Sequence, residues 1–185
     1  MEAEINGNTL ILMRGDITKQ TTDAIVNAAN GTLLGGGGVD GAIHRAAGPE
    51  LLEECKQIRK EVLKGELLPT GDAVMTQGYR LPAQYVIHTV GPVWQGGGQR
   101  EEELLANCYK NSLCLASEKG LRSISFPSIS TGVYRFPIKP ASKIALSSIM
   151  GFLKKQQFGT VVMTLFSEED CQTYQSSLED LLKEI

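Results

Sequence analysis

The chain has 185 residues, 42% of them hydrophobic and 21% charged, and a formal net charge of −3. This composition fits one globular domain that buries about 70% of the surface its unfolded chain exposes. No block of Lys or Arg forms the basic stripe of a duplex-binding protein. The four cysteines, Cys55, Cys108, Cys114 and Cys171, show neither a CxxC pair nor zinc spacing, so neither a disulfide framework nor a metal is expected. The acidic start Met1-Glu2-Ala3-Glu4 lacks a signal-peptide head, and the uncharged run 144–153 is too short to span a membrane. A cytoplasmic, reduced protein without membrane attachment is expected.

In chain order, Leu10-Ile11-Leu12-Met13, Ala24-Ile25-Val26, Tyr85-Val86-Ile87, Ile124-Ser125-Phe126 and Val161-Val162-Met163 are short runs rich in β-branched or aromatic residues. They read as strands, with Ala73-Val74-Met75 a weaker candidate. Residues 101–119 and 140–154 carry helical periodicity. In the last segment Cys171, Tyr174, Leu178, Leu181, Leu182 and Ile185 recur at steps of three and four, the stripe of a core-facing helix. Ser167, three residues before Asp170, suits a capping box at its start. Strands buried on both faces and alternating with helices predict a three-layer α/β/α sandwich in one domain, residues 1–185. In such sheets ligands bind beyond the carboxyl ends of the strands, and two loops qualify.

The first follows the strand at 24–26. Asn27-Ala28-Ala29-Asn30-Gly31 leads into Leu33-Leu34-Gly35-Gly36-Gly37-Gly38-Val39-Asp40-Gly41-Ala42-Ile43-His44. Four successive glycines let another molecule approach the backbone. The helix opening beside them offers unpaired N–H groups and a positive dipole end, an anion site suited to phosphate. No charged side chain lies between Asn27 and Val39, so the grip falls to backbone amides. Gly36, Gly38 and Gly41 satisfy GxGxxG, but the motif does not follow its strand directly and Glu61 falls in a helical segment, which disfavours a dinucleotide dehydrogenase. Asn30 fits a functional amide or simply the turn pair with Gly31. Asp40 fits a reactive carboxylate or a helix cap or first-turn residue. His44, four residues on and so on the same helical face, fits a site imidazole or an ordinary hydrogen-bonded histidine.

The second loop, Pro127-Ser128-Ile129-Ser130-Thr131-Gly132-Val133-Tyr134, is uncharged and rich in hydroxyls, and precedes a helix starting near Pro140. It suits either a second anion cradle or an ordinary polar turn. Tyr134 and Phe136 fit core aromatics or the wall of a sugar site. Near the start, Gly15-Asp16-Ile17-Thr18 closes the first strand. The Asp16 carboxylate can accept from an exocyclic amine or cap a short helical turn.

These pieces in this order resemble the macrodomain family, and specifically its MacroD-type hydrolases. The matching stretches are Gly15-Asp16-Ile17-Thr18, Asn27-Ala28-Ala29-Asn30, residues 35–48, and Ser130-Thr131-Gly132-Val133-Tyr134; the similarity runs from about Thr9 to the C-terminus. The resemblance implies a mixed, mostly six-stranded sheet with ADP-ribose in a cleft between the two loops. It implies that Asp16 and Ile17 meet the adenine, with Phe166 against the base. The backbones of Gly36, Gly37, Gly38 and Val39 and of Ser130, Thr131, Gly132, Val133 and Tyr134 would hold the diphosphate. Asn30 and Asp40 would face the distal ribose, supported by His44, with Tyr134 and Phe136 shaping the pocket. The chain departs from relatives at Arg135, where glycine is common; a position needing positive φ would strain there.

By the same likeness the activity is removal of mono-ADP-ribose ester-linked to Asp or Glu of proteins, and deacetylation of O-acetyl-ADP-ribose. The catalytic set is Asn30, Asp40 and His44, with no cofactor. The partners are ADP-ribose and ADP-ribosylated proteins, nucleic acid only as an ADP-ribosylated substrate, and the protein is expected to be a monomer. Asp40 either takes a proton from water or only positions a substrate whose own phosphate assists. GxSxG is absent and the only histidines are His44 and His88, against serine-hydrolase chemistry. A non-catalytic ADP-ribose reader and an ADP-ribose 1″-phosphate phosphatase are the alternatives.

Overall fold

The computed structural model describes residues 1–185. Its strands are β1 (Glu2–Ile5), β2 (Asn8–Arg14), β3 (Ala24–Ala29), β4 (Ala73–Gln77), β5 (Tyr85–Val90), β6 (Ser123–Phe126) and β7 (Thr160–Leu165). Its helices are α1 (Gly38–Ala47), α2 (Pro49–Glu61), α3 (Glu101–Glu118), α4 (Ile138–Lys155) and α5 (Glu168–Leu182). The strands form one sheet in the order β1-β2-β7-β6-β3-β5-β4. β2, β7, β6, β3 and β5 run parallel, while the edge strands β1 and β4 are antiparallel to their neighbours.

The sheet therefore has seven strands rather than the six expected, and the extra one is β1. Its alternation of Glu2 and Glu4 with Ala3 and Ile5 reads only as an acidic start, yet charge is what an edge strand needs to discourage pairing with another chain. The signal that identifies it is Asn6-Gly7, with φ of 53° and 80°, the two positive angles of a type I′ hairpin turn. α4 begins at Ile138, slightly ahead of the expected Pro140. Ser167 caps α5 through Oγ, which accepts from the Asp170 N–H at 3.1 Å.

Side chains alternate across the strands, and the two faces of β3 and β5 enter different cores. Ala24, Val26 and Ile87 pack against α3, α4 and α5 through Leu105, Tyr109, Leu146 and Tyr174. Ile25, Ala29, Val86 and Val90 face α1 and α2 through Ile43, Ala47, Leu51 and Cys55. Burying a side chain such as Ile43, fully enclosed, contributes about 1.5–3 kcal/mol. By the same alternation Asn27 and His88, direct register partners on β3 and β5, both point toward α1 and α2. They are the polar exceptions on an apolar face.

Because five strands are parallel, their carboxyl ends share one edge. Loops leave it in spatial order: Asp16 after β2, Phe166 after β7, the 127–137 loop after β6, the glycine loop after β3 and the 91–100 loop after β5.

Candidate functional site

The glycine loop is folded by its own side chains. Asn30 Oδ1 accepts from the Thr32 N–H at 3.0 Å and makes a short contact with Thr32 Oγ1, while Asn30 Nδ2 donates to the Gly35 carbonyl at 2.9 Å. The turn role open to Asn30 is thus realised. Gly37 is the N-cap of α1 and supplies no side-chain cap, so the first N–H groups of the helix stay available to an anion. Gly38 has φ of 57°, a left-handed angle that glycine adopts at little cost. Gly41 lets the helix lie on the loop, since a Cβ there would stand 2.5 Å from the Gly36 carbonyl oxygen.

Asp40 is not the N-cap; it sits in the first turn with 5% exposure. Asn27 Nδ2 donates to Asp40 Oδ1 at 2.8 Å, and His44 Nε2 comes to 3.4 Å from the same oxygen without hydrogen-bond geometry. Burial raises the Asp40 pKa above its ordinary value, and the Asn27 hydrogen bond and the His44 charge only partly offset that. A Cβ placed on Gly36 would stand 3.2 Å from Asp40 Oδ2 and 3.3 Å from Asn30 Nδ2. The second carboxylate oxygen and the Asn30 amide therefore converge on one spot beside the loop backbone.

Behind Asp40 a chain of buried polar groups crosses the sheet. Asn27 Nδ2 also lies 3.1 Å from His88 Nδ1, and His88 Nε2 lies 2.9 Å from Thr76 Oγ1, which donates onward to the Gln77 carbonyl at 3.1 Å. The Asp40 carboxylate must face the Asn27 NH2, which makes His88 Nδ1 an acceptor and puts the proton on Nε2. Burial lowers the His88 pKa to about 3, so the ring is neutral. Cys55, with Sγ 4.0 Å from His88 Nε2, has its thiol pushed up to about 12, chiefly by burial, which makes it a packing residue.

The second loop is pinned by backbone bonds. The Phe136 N–H donates to the Ser130 carbonyl at 2.9 Å, Arg135 to Gly132 at 3.0 Å, and Trp94 from the 91–100 loop to Tyr134 at 2.8 Å. Tyr109 Oη accepts from the Ile129 N–H at 3.1 Å. Phe136 is buried with its ring centroid 4.7 Å from that of Trp94. It supports the loop from the core, while Tyr134 is half-buried and Val133 stands 88% exposed. Arg135 has φ of 62°, so the conformation that favours glycine is present and carries a side chain. Ser130, at φ of 68°, also adopts it, with a buried Oγ that has no partner.

At the far end Asp16 caps the short 3-10 turn Ile17–Lys19. Its Oδ1 accepts from the Thr18 N–H at 2.9 Å and Thr18 Oγ1 at 2.7 Å. The Thr18 side-chain and backbone bonds, in that order, lower its pKa. Both converge on Oδ1, so Oδ2 remains to accept from a ligand. Phe166 leaves β7 with 90% of its surface exposed. The Gly15 N–H bonds the Leu165 carbonyl at 3.0 Å, which holds the Asp16 and Phe166 segments side by side.

A model of the Macro domain matches residues 26–145. A Methanosarcina mazei protein described as macro domain-containing is 53% identical over 97% of this chain and 92% of its own. The chain belongs to the macro domain family. Among solved structures, the Oceanobacillus iheyensis macrodomain with ADP superposes with a TM-score of 0.98 at 57% identity, covering 100% of this chain and 97% of that one. The Trypanosoma brucei macrodomain in complex with ADP-ribose superposes with a TM-score of 0.81 at 44% identity, covering 91% and 68%.

In this macrodomain the expected site residues fall on the one carboxyl edge, with Phe136 beneath it and His44 behind Asp40. Three contributors were not singled out from the sequence: Asn27, His88 and Thr76. The available signal was a polar residue inside an otherwise apolar strand, which demands a buried partner. A fourth is Glu101, whose carboxylate accepts from the N–H groups of Gln95 at 3.0 Å and Gly97 at 2.8 Å, and also from Gln99. Burial works against its charge, but these bonds hold its pKa below the ordinary value. It fixes the 91–100 loop that Trp94 uses to brace the second loop.

Proposed function

We propose that the protein binds ADP-ribose along the carboxyl edge and hydrolyses the ester joining the distal ribose to an aspartate or glutamate side chain, or to acetate in O-acetyl-ADP-ribose. The order of the loops supports this reading, because Asp16 and Phe166, the two anion-ready loops and Asp40 follow one another as adenine, diphosphate and distal ribose do. So do the relatives whose structures hold ADP and ADP-ribose.

In this reading Asp16 Oδ2 accepts the adenine N6–H, with the Ile17 amide beside it, and Phe166 covers the base. Amides of Gly36–Val39 and of Ser130–Tyr134 hold the diphosphate, with no cation required. Asn30 Nδ2, through its second hydrogen, orients the ribose next to Gly36. Asp40 Oδ2 takes a proton from water, whose oxygen bonds the ester carbonyl carbon. The ribose oxygen leaves and takes up that proton from Asp40, giving ADP-ribose and a carboxylic acid that loses its remaining proton to solvent. A carboxylate of raised pKa is the better base for this step. Asn27 holds Asp40 by its other oxygen, with the His44 ring packed beside it, so Asp40 accepts the proton without turning.

The observation that carries the reading is a buried, proton-avid Asp40 carboxylate meeting the Asn30 amide at Gly36, beside the uncapped start of α1. One observation favours a reader instead: the Asn30 side chain is already engaged by Thr32 and Gly35. Incubation with a glutamate-linked mono-ADP-ribosylated protein, with O-acetyl-ADP-ribose and with ADP-ribose 1″-phosphate decides between them. Mass spectrometry is expected to show free ADP-ribose from the two esters. Tight binding with no product leaves the reader, and turnover of the phosphate alone assigns the pocket to that chemistry.

A further inference from the structure

Beside the glycine loop, between Leu34 and the C-terminal half of α2, lies a second cleft of about 560 Å³. It is lined by Leu34, Lys56, Arg59, Lys60, Lys64 and Gly65. Four of the six are cationic, in a chain whose net charge is −3. Lys56 lies 3.3 Å from Glu53, but both are exposed, and such a pair is worth little. Lys60 and Lys64 pair with no carboxylate. Arg59 is anchored by carbonyls, donating to Thr32 at 3.3 Å and Gly65 at 2.8 Å, and its Nε is buried without an acceptor. Cations in the last turn of α2 do complement the helix dipole. Lys56 lies a turn earlier and Lys64 beyond the helix, however, and all four converge on one concavity.

We infer that this cleft docks an acidic stretch of the ADP-ribosylated protein next to the modified side chain, an inference that rests on the neighbouring site taking protein-linked ADP-ribose. The cleft and the site share one loop. Asn30 and Gly36 face Asp40, while Leu34 lines the cleft and Thr32 presents its carbonyl to Arg59. An extended peptide advances about 3.3–3.6 Å per residue, so carboxylates a few positions from the attachment point reach the cations while the sugar occupies the site. Leu34, 47% exposed, and the lysine stems give apolar side chains of the same peptide a seat. Nucleic acid fits less well. The lining holds no aromatic ring on which a base stacks, and the cations form one short concavity rather than a track.

Fluorescence anisotropy tests this with peptides carrying ADP-ribose through a hydrolysis-resistant linkage, flanked either by Asp and Glu or by Ser and Gly, and with an oligothymidine of similar length. The acidic peptide is expected to bind roughly tenfold tighter than the neutral one at low salt, a preference that shrinks as salt rises. The Lys56→Ser/Lys60→Ser/Lys64→Ser variant is expected to erase the preference while keeping wild-type affinity for free ADP-ribose, which also reports that it is folded. Equal binding of the two peptides by wild type overturns the inference, as does a preference that survives the triple substitution. Oligothymidine binding lost in the variant, with the peptides undiscriminated, overturns it in favour of nucleic acid. Failure of free ADP-ribose to bind removes the ADP-ribose reading and this inference together, whereas the other failures remove this inference alone.

Discussion

The two ends of the carboxyl edge are built on opposite terms. At the β3 end Asp40 is tied to Asn27, Asn27 to His88 and His88 to Thr76, all buried. At the β2–β7 end Phe166 and Asp16 stand in solvent, and the Asp16 carboxylate is steadied only by its neighbour Thr18. A buried network in which most groups have partners holds its geometry with or without a ligand, which is what a reacting group needs. Exposed groups take their order only when a ligand is bound, and the contact must outweigh that entropy cost. Under the proposed function, the contrast assigns chemistry to the buried end and binding to the exposed one, so substitutions at the two ends should move different constants.

The largest effect is expected at Asp40. Asp40→Ala should lower kcat on the glutamate ester by about 10²–10⁴-fold and leave the Kd for ADP-ribose within a few-fold of wild type; an equal loss of affinity would break the comparison. Next comes Phe166→Ala, which removes the proposed stacking partner of the base, a contact of about 1–3 kcal/mol. Calorimetry should show a Kd raised by roughly 5- to 150-fold, with kcat at saturating substrate unchanged.

His88 tests the buried end through stability. His88→Leu leaves Asn27 and Thr76 without their partner, a loss of about 1–3 kcal/mol in urea unfolding. The wild-type His88 pKa falls from an ordinary 6.5 to about 3, so between these values the unfolded chain binds a proton that the folded chain refuses. This contribution to stability is complete above 6.5 and drains away as pH falls toward 3. Unfolding measured across that window should show a steeper acid loss in wild type than in His88→Leu. The smallest effect is expected at Arg135, whose left-handed φ of 62° costs about 1–2 kcal/mol. Arg135→Gly returns part of that against the greater freedom of an unfolded glycine, for a gain of at most about 1 kcal/mol.

What the sequence made legible is what local chemistry dictates. The β-branched runs mark six of the seven strands, and the stripe from Cys171 marks α5. The glycine run ahead of Asp40 and His44 gives an uncapped helix start with both side chains on one face. Long-range pairing stayed hidden. Asn27 and His88 are 61 positions apart and become neighbours only through the β3–β5 register. Arg59 reaches Thr32 across 27 positions. Phe136 reads equally well as sugar wall or core until Trp94 is placed over it. β1 stayed hidden because Glu2 and Glu4, whose charges protect an edge, interrupt any β-branched run.

The proton-accepting role proposed for Asp40 is tested most directly by the pH dependence of kcat for wild type and Asp40→Asn, which keeps the shape and the Asn27 contact but accepts no proton. Wild type should lose activity on the acid side with an apparent pKa above the ordinary aspartate value of 3.8, and Asp40→Asn should bind ADP-ribose normally and turn over almost no ester. Full activity in Asp40→Asn, with the acid limb unchanged, would contradict the account.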